Sequence, residues 1–218
     1  MSTRDHPREA LRLLWPNLPL LLLGSVLVSV AWLLVRAVAP GLSLLAVILH
    51  GVLTVPTFAA LLWSCQVLLT GEHVRVATLF ATLVRRYPTT VRASLPLTAV
   101  VLLTFSAFDV WHVSGQAWML VSVGLGLSAS VLALYSWILA LPYAVRTPSQ
   151  PVKRWWLVGF FTATRNPVPV LGVLSLLGLS VWVVQSASFA FTFLVPALLA
   201  LVWAAAFAAA ADRTPVLL

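Results

Sequence analysis

The side chains that could carry out chemistry are few and widely spaced in this sequence. Cys65 is the only cysteine, so a single chain can form neither a disulfide nor a thiolate metal site. No two of the histidines, at positions 6, 50, 73 and 112, are spaced i, i+4, which is the spacing that a helical zinc site uses. A Gly-x-Ser-x-Gly nucleophile elbow is also absent. The sequence therefore predicts no catalytic residue, no cofactor and no metal site, and we expect a protein that is not an enzyme.

The remaining sequence consists mainly of long apolar stretches. Hydrophobic residues make up 61% of the 218 positions and charged residues 8%, whereas soluble domains have about 45–50% and about 25%. This composition excludes a soluble enzyme, a disordered chain and a disulfide scaffold. No Asp, Glu, Lys or Arg occurs in residues 13–35, 37–71, 93–108, 110–145 and 166–211.

These stretches are long enough to cross a membrane as helices. A helix needs about 20 residues to cross the hydrocarbon core, and lipid offers no hydrogen-bond partners to an open backbone. The sequence therefore predicts an all-α membrane protein with one transmembrane domain, residues 1–218. Its six transmembrane helices, arranged in three hairpins, are expected at about 17–39, 42–70, 92–110, 117–145, 168–185 and 189–211.

The basic residues predict the orientation of these spans. All but one of the 13 Lys and Arg residues fall on the side that also carries both termini, and Arg36 is the exception. Because basic residues are retained on the cytoplasmic side, we expect both termini to be cytoplasmic. The net charge of +8 is then explained by topology and by attraction to anionic membrane lipid, and not by binding to nucleic acid.

Three ionisable residues, Arg36, His50 and Asp109, lie at membrane depth or at its outer edge. A charge in lipid is costly, so a partner is expected. We consider two alternatives of equal weight for Arg36 and Asp109: an outer-side ion pair that joins the first and third spans, and separate contact of each side chain with water. For His50, we favour a hydrogen bond to a neighbouring span over a proton relay.

Two rows of small residues at i, i+4, i+8 spacing predict close packing between helices. They are Ser122, Gly126 and Ser130 in the fourth span and Ala200, Ala204 and Ala208 in the sixth. We interpret both rows as seams within the bundle, with an interface between subunits as the alternative.

Two longer loops on the inner side are expected to form amphipathic interfacial helices. In residues 71–88, apolar side chains recur at helical spacing opposite basic and hydroxyl side chains. Residues 150–167 contain two adjacent tryptophans, which favour headgroup depth. We expect these loops to contact lipid or a partner through Arg75, Arg85, Arg86, Lys153, Arg154, Trp155, Trp156 and Arg165.

The two inner loops also resemble each other. At a single shift, Arg75, Arg86 and Pro88 of the first loop correspond to Arg154, Arg165 and Pro167 of the second. In each loop the proline is expected to begin the next span, because the first turn of a helix needs no N–H there. This predicts an internal repeat that relates residues 42–110 to residues 117–185, with chance coincidence as the alternative.

The sequence resembles the YesL-like family of bacterial membrane proteins over nearly its whole length. The motifs that carry the resemblance are Pro56 with Ala59-Ala60-Leu61, Gly71-Glu72-His73-Val74, Phe80, Arg85-Arg86, Leu141-Pro142 and residues 161–166. The sequence departs from the family at Val55, where glycine is usual, and at residues 147–149, where an acidic residue is expected. The family has no assigned molecular function. The resemblance implies a multi-span protein of the bacterial inner membrane, with an accessory role alongside carbohydrate uptake systems.

These observations favour a non-enzymatic accessory or partner subunit of a membrane transport system, which contacts transporter subunits or a second copy of itself. A small-solute transporter or channel in its own right is the second hypothesis. It is less favoured because the middle of the membrane contains no carboxylate that could couple ions. An intramembrane enzyme ranks last, because no pair of a nucleophile and a base is present.

Overall fold

The computed structural model describes residues 6–41, 43–186 and 189–213, with side chains for 16–41, 43–184 and 192–213. These residues form seven helices. They are α1 (His6–Val38), α2 (Leu44–Leu69), α3 (Val76–Ser114), α4 (Met119–Arg146), α5 (Val152–Arg165), α6 (Pro167–Ser186) and α7 (Phe189–Arg213). Within α2, residues His50–Thr54 form one π-helical turn.

Six of the described helices are long and apolar enough to span a membrane. The qualifying segments are Pro16–Val38, Leu44–Leu69, Val76–Ser114, Met119–Arg146, Pro167–Val184 and Thr192–Arg213. The predictions of an all-helical chain and of six long apolar helices are therefore confirmed. The predicted bounds agree closely with five of these segments, and the third segment is the exception.

The third helix begins much earlier than the sequence predicts. Helix α3 runs without a break from Val76 to Ser114, with Pro88 in its interior. The prediction that Pro88 begins a span is therefore wrong, and the first loop does not form a separate helix. Pro88 deprives the carbonyl of Val84 of its helical donor. Val84 is 76% exposed, so this carbonyl lies at the surface of the bundle and the break in hydrogen bonding is tolerated.

The second loop follows the prediction more closely. Helix α5 ends at Arg165, and Pro167 is the first residue of α6, as expected. The first copy of the predicted repeat, residues 42–110, thus contains two helices, α2 and α3. The second copy, residues 117–185, contains three helices, α4 to α6. The repeat itself stays a prediction.

The core of the bundle lies where α2 contacts α1, α3, α4 and α7. The most buried positions are Leu61, Leu62 and Cys65 of α2, residues 138–145 of α4, and Trp203 with Ala204 of α7. Cys65 is therefore a small packing residue of the interior. Helix α6 packs mainly on α7, and the outward faces of most helices are apolar, as expected for a surface in contact with lipid.

The small-residue rows lie at contacts between helices. A Cβ atom added to Gly126 would lie 3.2 Å from the Cα atom of Thr104 on α3, and Ser130 Oγ lies 3.0 Å from Thr104 Oγ1. In α7, Ala200 and Ala204 are buried. Gly126, Ser130, Ala200 and Ala204 therefore contribute to seams within the chain, as predicted, because small side chains let helix backbones approach closely. Ser122 is exposed and lies outside these seams.

Neighbouring side chains replace hydrogen bonds that proline removes from α7. Pro196 has no N–H for the carbonyl of Thr192, and Ser29 Oγ of α1 donates to that oxygen at 2.7 Å. One residue further on, the N–H of Ala197 donates to Ser25 Oγ at 3.1 Å. The two serines, one turn apart on α1, thus satisfy the backbone of a broken turn in α7.

Two further carbonyls accept hydrogen bonds from side chains of another helix. Pro142 leaves the Ile138 carbonyl of α4 without its helical donor, and the indole N–H of Trp203 donates to it at 2.5 Å. The Ala163 carbonyl, in the last turn of α5, accepts from the Tyr135 hydroxyl at 2.8 Å and from the Asn166 N–H at 3.2 Å. Each of the two side-chain bonds joins two helices at a defined depth, since the carbonyl cannot move along its helix.

Helix α5 crosses α4 at a position where there is no room for a side chain. A Cβ atom added to Gly159 would lie 2.7 Å from the Ser136 carbonyl oxygen and 2.8 Å from the Ala140 nitrogen. Both are backbone atoms of α4, which cannot move aside as a flexible side chain does. The α5 face that packs there consists of Trp155, Gly159, Thr162 and Ala163.

We expect Gly159→Ala to lower the free energy of unfolding by about 1–3 kcal/mol, the usual cost of overpacking. Gly172→Ala is the matched control, because nothing lies within 4 Å of its added Cβ. The control should be neutral or slightly stabilising, since alanine is the better helix former. Unfolding by sodium dodecyl sulfate, followed by tryptophan fluorescence, measures both. Equal stability of the two variants would contradict the close crossing.

Candidate functional site

A cavity of about 460 Å³ lies among four helices that could span a membrane. Its walls come from the carboxyl-terminal half of α1, the amino-terminal half of α2, the carboxyl-terminal half of α6 and the amino-terminal half of α7. Trp137 of α4 closes it from below. Small-molecule sites have volumes of about 300–1,000 Å³, so the cavity is large enough for a ligand.

Three aromatic side chains form the floor of the cavity. The ring of Trp203 lies between the other two, with its centroid 5.2 Å from that of Phe58 and 5.4 Å from that of Trp137. The tilted and edge-on contacts between these rings are the arrangements that aromatic pairs prefer. Because Trp203 is also fixed by its bond to the Ile138 carbonyl, the floor is a rigid apolar surface.

A distorted turn forms the α2 wall. The Val55 N–H donates to the carbonyl of His50, five residues back, which is the π-helical bond. In this register the Gly51 carbonyl would need the N–H of residue 56, which is proline, and Ser94 Oγ of α3 lies 3.5 Å from that oxygen. Pro56 therefore leaves the Gly51 carbonyl without a π-helical donor, and Ser94 of α3 lies beside that oxygen.

His50 bonds within its own helix. Its Nδ1 lies 3.0 Å from Thr54 Oγ1, and both side chains line the cavity. The sequence favours a bond to a neighbouring span, and this expectation is wrong. A π-helical turn brings different side chains onto one face of α2 than an α-helical turn does, and in this structure both His50 and Thr54 face the cavity.

Arg36 lies at the rim of the cavity. Its guanidinium carbon is 4.9 Å from the ring centroid of Trp32, one turn earlier on α1, a cation–π contact. Arg36 is exposed, and it is the only Lys, Arg, Asp or Glu among the described residues that line the cavity. Asp109 is exposed on α3, whereas α1 packs mainly on α2 and α7. The pairing of Arg36 with Asp109 stays a prediction.

The basic residues of the two predicted inner loops divide into exposed and structural ones. Those that are exposed are Arg75, Arg85, Lys153, Arg154 and Arg165. Arg86 is half-buried, donates to the Val145 carbonyl at the end of α4, and lies 5.7 Å above the ring of Trp63. A cation there satisfies a carbonyl that the helix leaves unpaired and is favoured by the helix dipole. Arg86 is therefore a residue that stabilises the end of α4, and not a free contact residue.

The two adjacent tryptophans also bind within the protein. Trp155 is 2% exposed, and its indole N–H donates to the Thr147 carbonyl at 3.0 Å. Trp156 is half-buried and donates to the Ala93 carbonyl of α3 at 3.1 Å. The expectation that Trp155 contacts lipid or a partner is thus wrong for this structure, because its ring packs against α4.

A second, smaller cavity of about 70 Å³ lies between α2, α4 and α7. Gln66 lines it and is buried, and in the described part of the chain its amide nitrogen and oxygen have no hydrogen-bond partner. Arg146 closes one side, with its guanidinium carbon 5.5 Å from the ring centroid of Phe207. Since water occupies about 30 Å³ in the liquid, roughly two water molecules fit beside the Gln66 amide.

Neither cavity contains the side chains of a metal centre. Among the described residues, no group of three or more His, Cys, Asp and Glu side chains comes together. The outer polar groups of the large cavity are a guanidinium, an imidazole and hydroxyls. These groups can bind a ligand through hydrogen bonds and charge, and we assign no step of covalent chemistry to them.

Comparison with known proteins identified no relative. No family model, no curated protein and no solved structure matches this chain. The resemblance to the YesL-like family therefore depends on the sequence motifs alone and stays a prediction.

Sequence reasoning missed the residues that form the cavity floor. Phe58, Trp137 and Trp203 are in the sequence as ordinary apolar residues of the spans. A signal was present for the two tryptophans. Tryptophan in membrane proteins is enriched at the two interfaces, whereas Trp137 and Trp203 lie well inside α4 and α7. Tryptophan placed away from a helix end indicates a specific contact of its ring or its N–H.

Proposed function

We propose that this chain is a multi-pass protein of a bacterial inner membrane, with its six long apolar helices arranged as three hairpins and both termini in the cytoplasm. The distribution of basic residues supports this orientation, since Arg36 alone falls on the outer side. In this orientation the large cavity lies in the outer half of the membrane. The exposed face of α5, which carries Lys153, Leu157 and Phe161, then lies in the inner interface.

We propose that the protein is a non-enzymatic partner subunit of a membrane transport system. The observation that carries this proposal is the exposure of Arg85, Lys153, Arg154 and Arg165, compared with the structural role of Arg86. These four cations and the exposed Arg75, which we together call the basic patch, are available to an acidic surface of another subunit or to anionic headgroups. Carbohydrate as the transported substrate is supported by the family resemblance alone.

A tagged full-length protein tests the partner proposal. In a mild-detergent extract we expect stoichiometric recovery of transporter subunits, identified by mass spectrometry. Replacing Arg85 and Arg154 together by alanine should reduce that recovery by about tenfold, because each exposed cation contributes up to about 1 kcal/mol to an interface. Arg86 is left unchanged in this test, since its loss would disturb the end of α4.

The matched control removes a cation of the same exposure elsewhere. Arg213 is exposed at the end of α7, outside both loops, and Arg213→Ala should leave recovery unchanged. Equal recovery from the patch variant and wild type, at equal protein levels, would assign the basic patch to topology and remove the support for the partner proposal.

A solute transporter is the second candidate, and the relation of the two cavities favours it. The large cavity ends at Phe58, Trp137 and Trp203, and the small one lies further along the same three helices, at Gln66, Arg146 and Phe207. Fully buried residues of α2 and α4 separate them. Transport by this chain would require these helices to part. Uptake of a solute into liposomes that contain only this protein distinguishes this candidate from the partner proposal.

A further inference from the structure

We propose that the large cavity binds an anionic amphiphile, with its carboxylate or phosphate at Arg36 and its hydrocarbon chain against the aromatic floor. This inference concerns a ligand of the cavity and does not depend on the partner proposal, which rests on the basic patch at the other side of the bundle.

The dimensions of the cavity fit an elongated apolar chain. His50 lies near the rim and Phe58 at the floor of the same helix. Because a helix rises about 1.5 Å per residue, their separation gives a depth of about 12 Å. The side chains along this depth are mostly apolar, including Val28, Leu177 and Leu199. A hydrocarbon chain is the ligand that such a wall stabilises, since each buried methylene contributes favourably.

The polar groups of the wall argue against a polyhydroxylated solute. The Ser29 hydroxyl donates to the Thr192 carbonyl, and Thr54 Oγ1 is bonded to His50. These two hydroxyls are therefore already bonded within the protein. The other hydroxyls of the wall are those of Ser180 and Thr192, and the remaining lining residues are mostly apolar. A sugar has more hydroxyls than these two groups can pair, and unpaired hydroxyls are costly in a buried site.

Charge at the rim selects the head group. Arg36 carries a permanent positive charge, its guanidinium has five N–H donors, and it matches carboxylate and phosphate in geometry. The described part of the wall contains no carboxylate, so a cationic head would meet repulsion. Stacking on Trp32 holds the guanidinium over the opening. The head group and the chain together define one ligand class, which can come from a membrane lipid or from a free fatty acid.

Photocrosslinking tests this proposal on the full-length chain in phosphatidylcholine nanodiscs. The probe is a laurate analogue with a diazirine next to its terminal methyl group, and labelled residues are identified by mass spectrometry. We expect labels at Phe58, Trp137 and Trp203. Arg36→Gln should reduce labelling at these residues by about tenfold, the usual effect of losing one charge-assisted hydrogen bond. Arg213→Gln removes an exposed cation at the end of α7 that does not line the cavity, and this matched control should label as wild type.

A second variant and a set of competitors complete the experiment. Leu177→Trp fills part of the wall and should abolish labelling of the floor while leaving Arg36 in place. Unlabelled laurate should compete, whereas lauryl alcohol and laurylamine should not. If phosphatidylglycerol in the nanodisc competes, a membrane lipid is the source of the chain, and if free laurate alone competes, a fatty acid is the source.

Three results would overturn the proposal. Labels confined to residues on the outward faces of the bundle would show that the probe samples only bulk lipid. Equal labelling of wild type and Arg36→Gln would show that Arg36 does not bind an anionic head group. Equal competition by laurate and laurylamine would do the same, because the cavity would then bind any amphiphile.

Discussion

Replacing Trp203 by alanine is expected to lower the free energy of unfolding by about 3–5 kcal/mol, the usual cost of removing a fully buried aromatic side chain. Trp203 is 1% exposed and contacts Phe58 and Trp137. Its removal leaves an empty space at the floor of the large cavity and withdraws the donor from the Ile138 carbonyl. Unfolding by sodium dodecyl sulfate in mixed micelles measures the change.

Two further variants separate the contribution of the ring from that of the N–H. Trp203→Phe keeps most of the ring but loses the donor, so we expect a loss of about 1–2 kcal/mol, as found for hydrogen bonds between membrane helices. Pro142→Ala restores a backbone N–H to the Ile138 carbonyl. In the Pro142→Ala background, Trp203→Phe should lower the free energy of unfolding by less than it does in wild type. The difference between these two losses is the coupling energy of the double-mutant cycle.

Trp182 provides the control for the loss of an indole ring. It lies on α6 and is 64% exposed, so Trp182→Ala should change the free energy of unfolding by about 0.5 kcal/mol or less. A similar loss for the Trp182 and Trp203 variants would contradict the interior role of Trp203. Equal cost of Trp203→Phe with and without Pro142 would show that the Ile138 carbonyl finds another donor.

The positions of the six long helices could be predicted because charge is excluded from the middle of a span. The beginning of α3 could not be predicted in this way. Proline is compatible with the first turn of a helix and also with an interior turn whose freed carbonyl is satisfied from elsewhere. The sequence shows Pro88 and Pro167 in equivalent positions, yet Pro88 lies in the interior of α3 and Pro167 is the first residue of α6.

The contacts of the loop tryptophans could not be predicted from the sequence either. An amphipathic pattern predicts that one face of a helix is apolar, but it does not say whether lipid or protein covers that face. The α5 helix directs Trp155 against the end of α4, where the Thr147 carbonyl accepts its N–H. The expectation of headgroup contact failed because a buried acceptor lay within reach of the ring.

The cavity depends on features that no single stretch of sequence contains. Its walls come from four helices and its floor from three, and α2 reaches it through a π-helical turn. Arg36 and His50 were recognised because charge at membrane depth is rare. Their convergence on one space could not be derived from spacing along the chain, since it depends on how α1 and α2 pack against α7.

Replacing Ser25 and Ser29 together by alanine is expected to lower the free energy of unfolding by about 2–4 kcal/mol, from two interhelical hydrogen bonds of about 1–2 kcal/mol each. Both serines are buried on α1, and they satisfy the Thr192 carbonyl and the Ala197 N–H of α7. Ser128→Ala is the control, because Ser128 is exposed and its hydroxyl donates to the Gly124 carbonyl of its own helix.

Pro196→Ala shows whether the serines act by repairing the proline break. It supplies the N–H that the Thr192 carbonyl lacks, so Ser29→Ala should then cost markedly less than in the presence of Pro196. An unchanged cost in the two backgrounds would mean that Ser29 stabilises α1 alone.

Ser29 and Pro196 also line the large cavity, so the bond that joins α1 to α7 fixes the wall in which the ligand would lie. We therefore expect Ser29→Ala with Pro196 present to weaken laurate crosslinking as well as stability, and Pro196→Ala to restore both together.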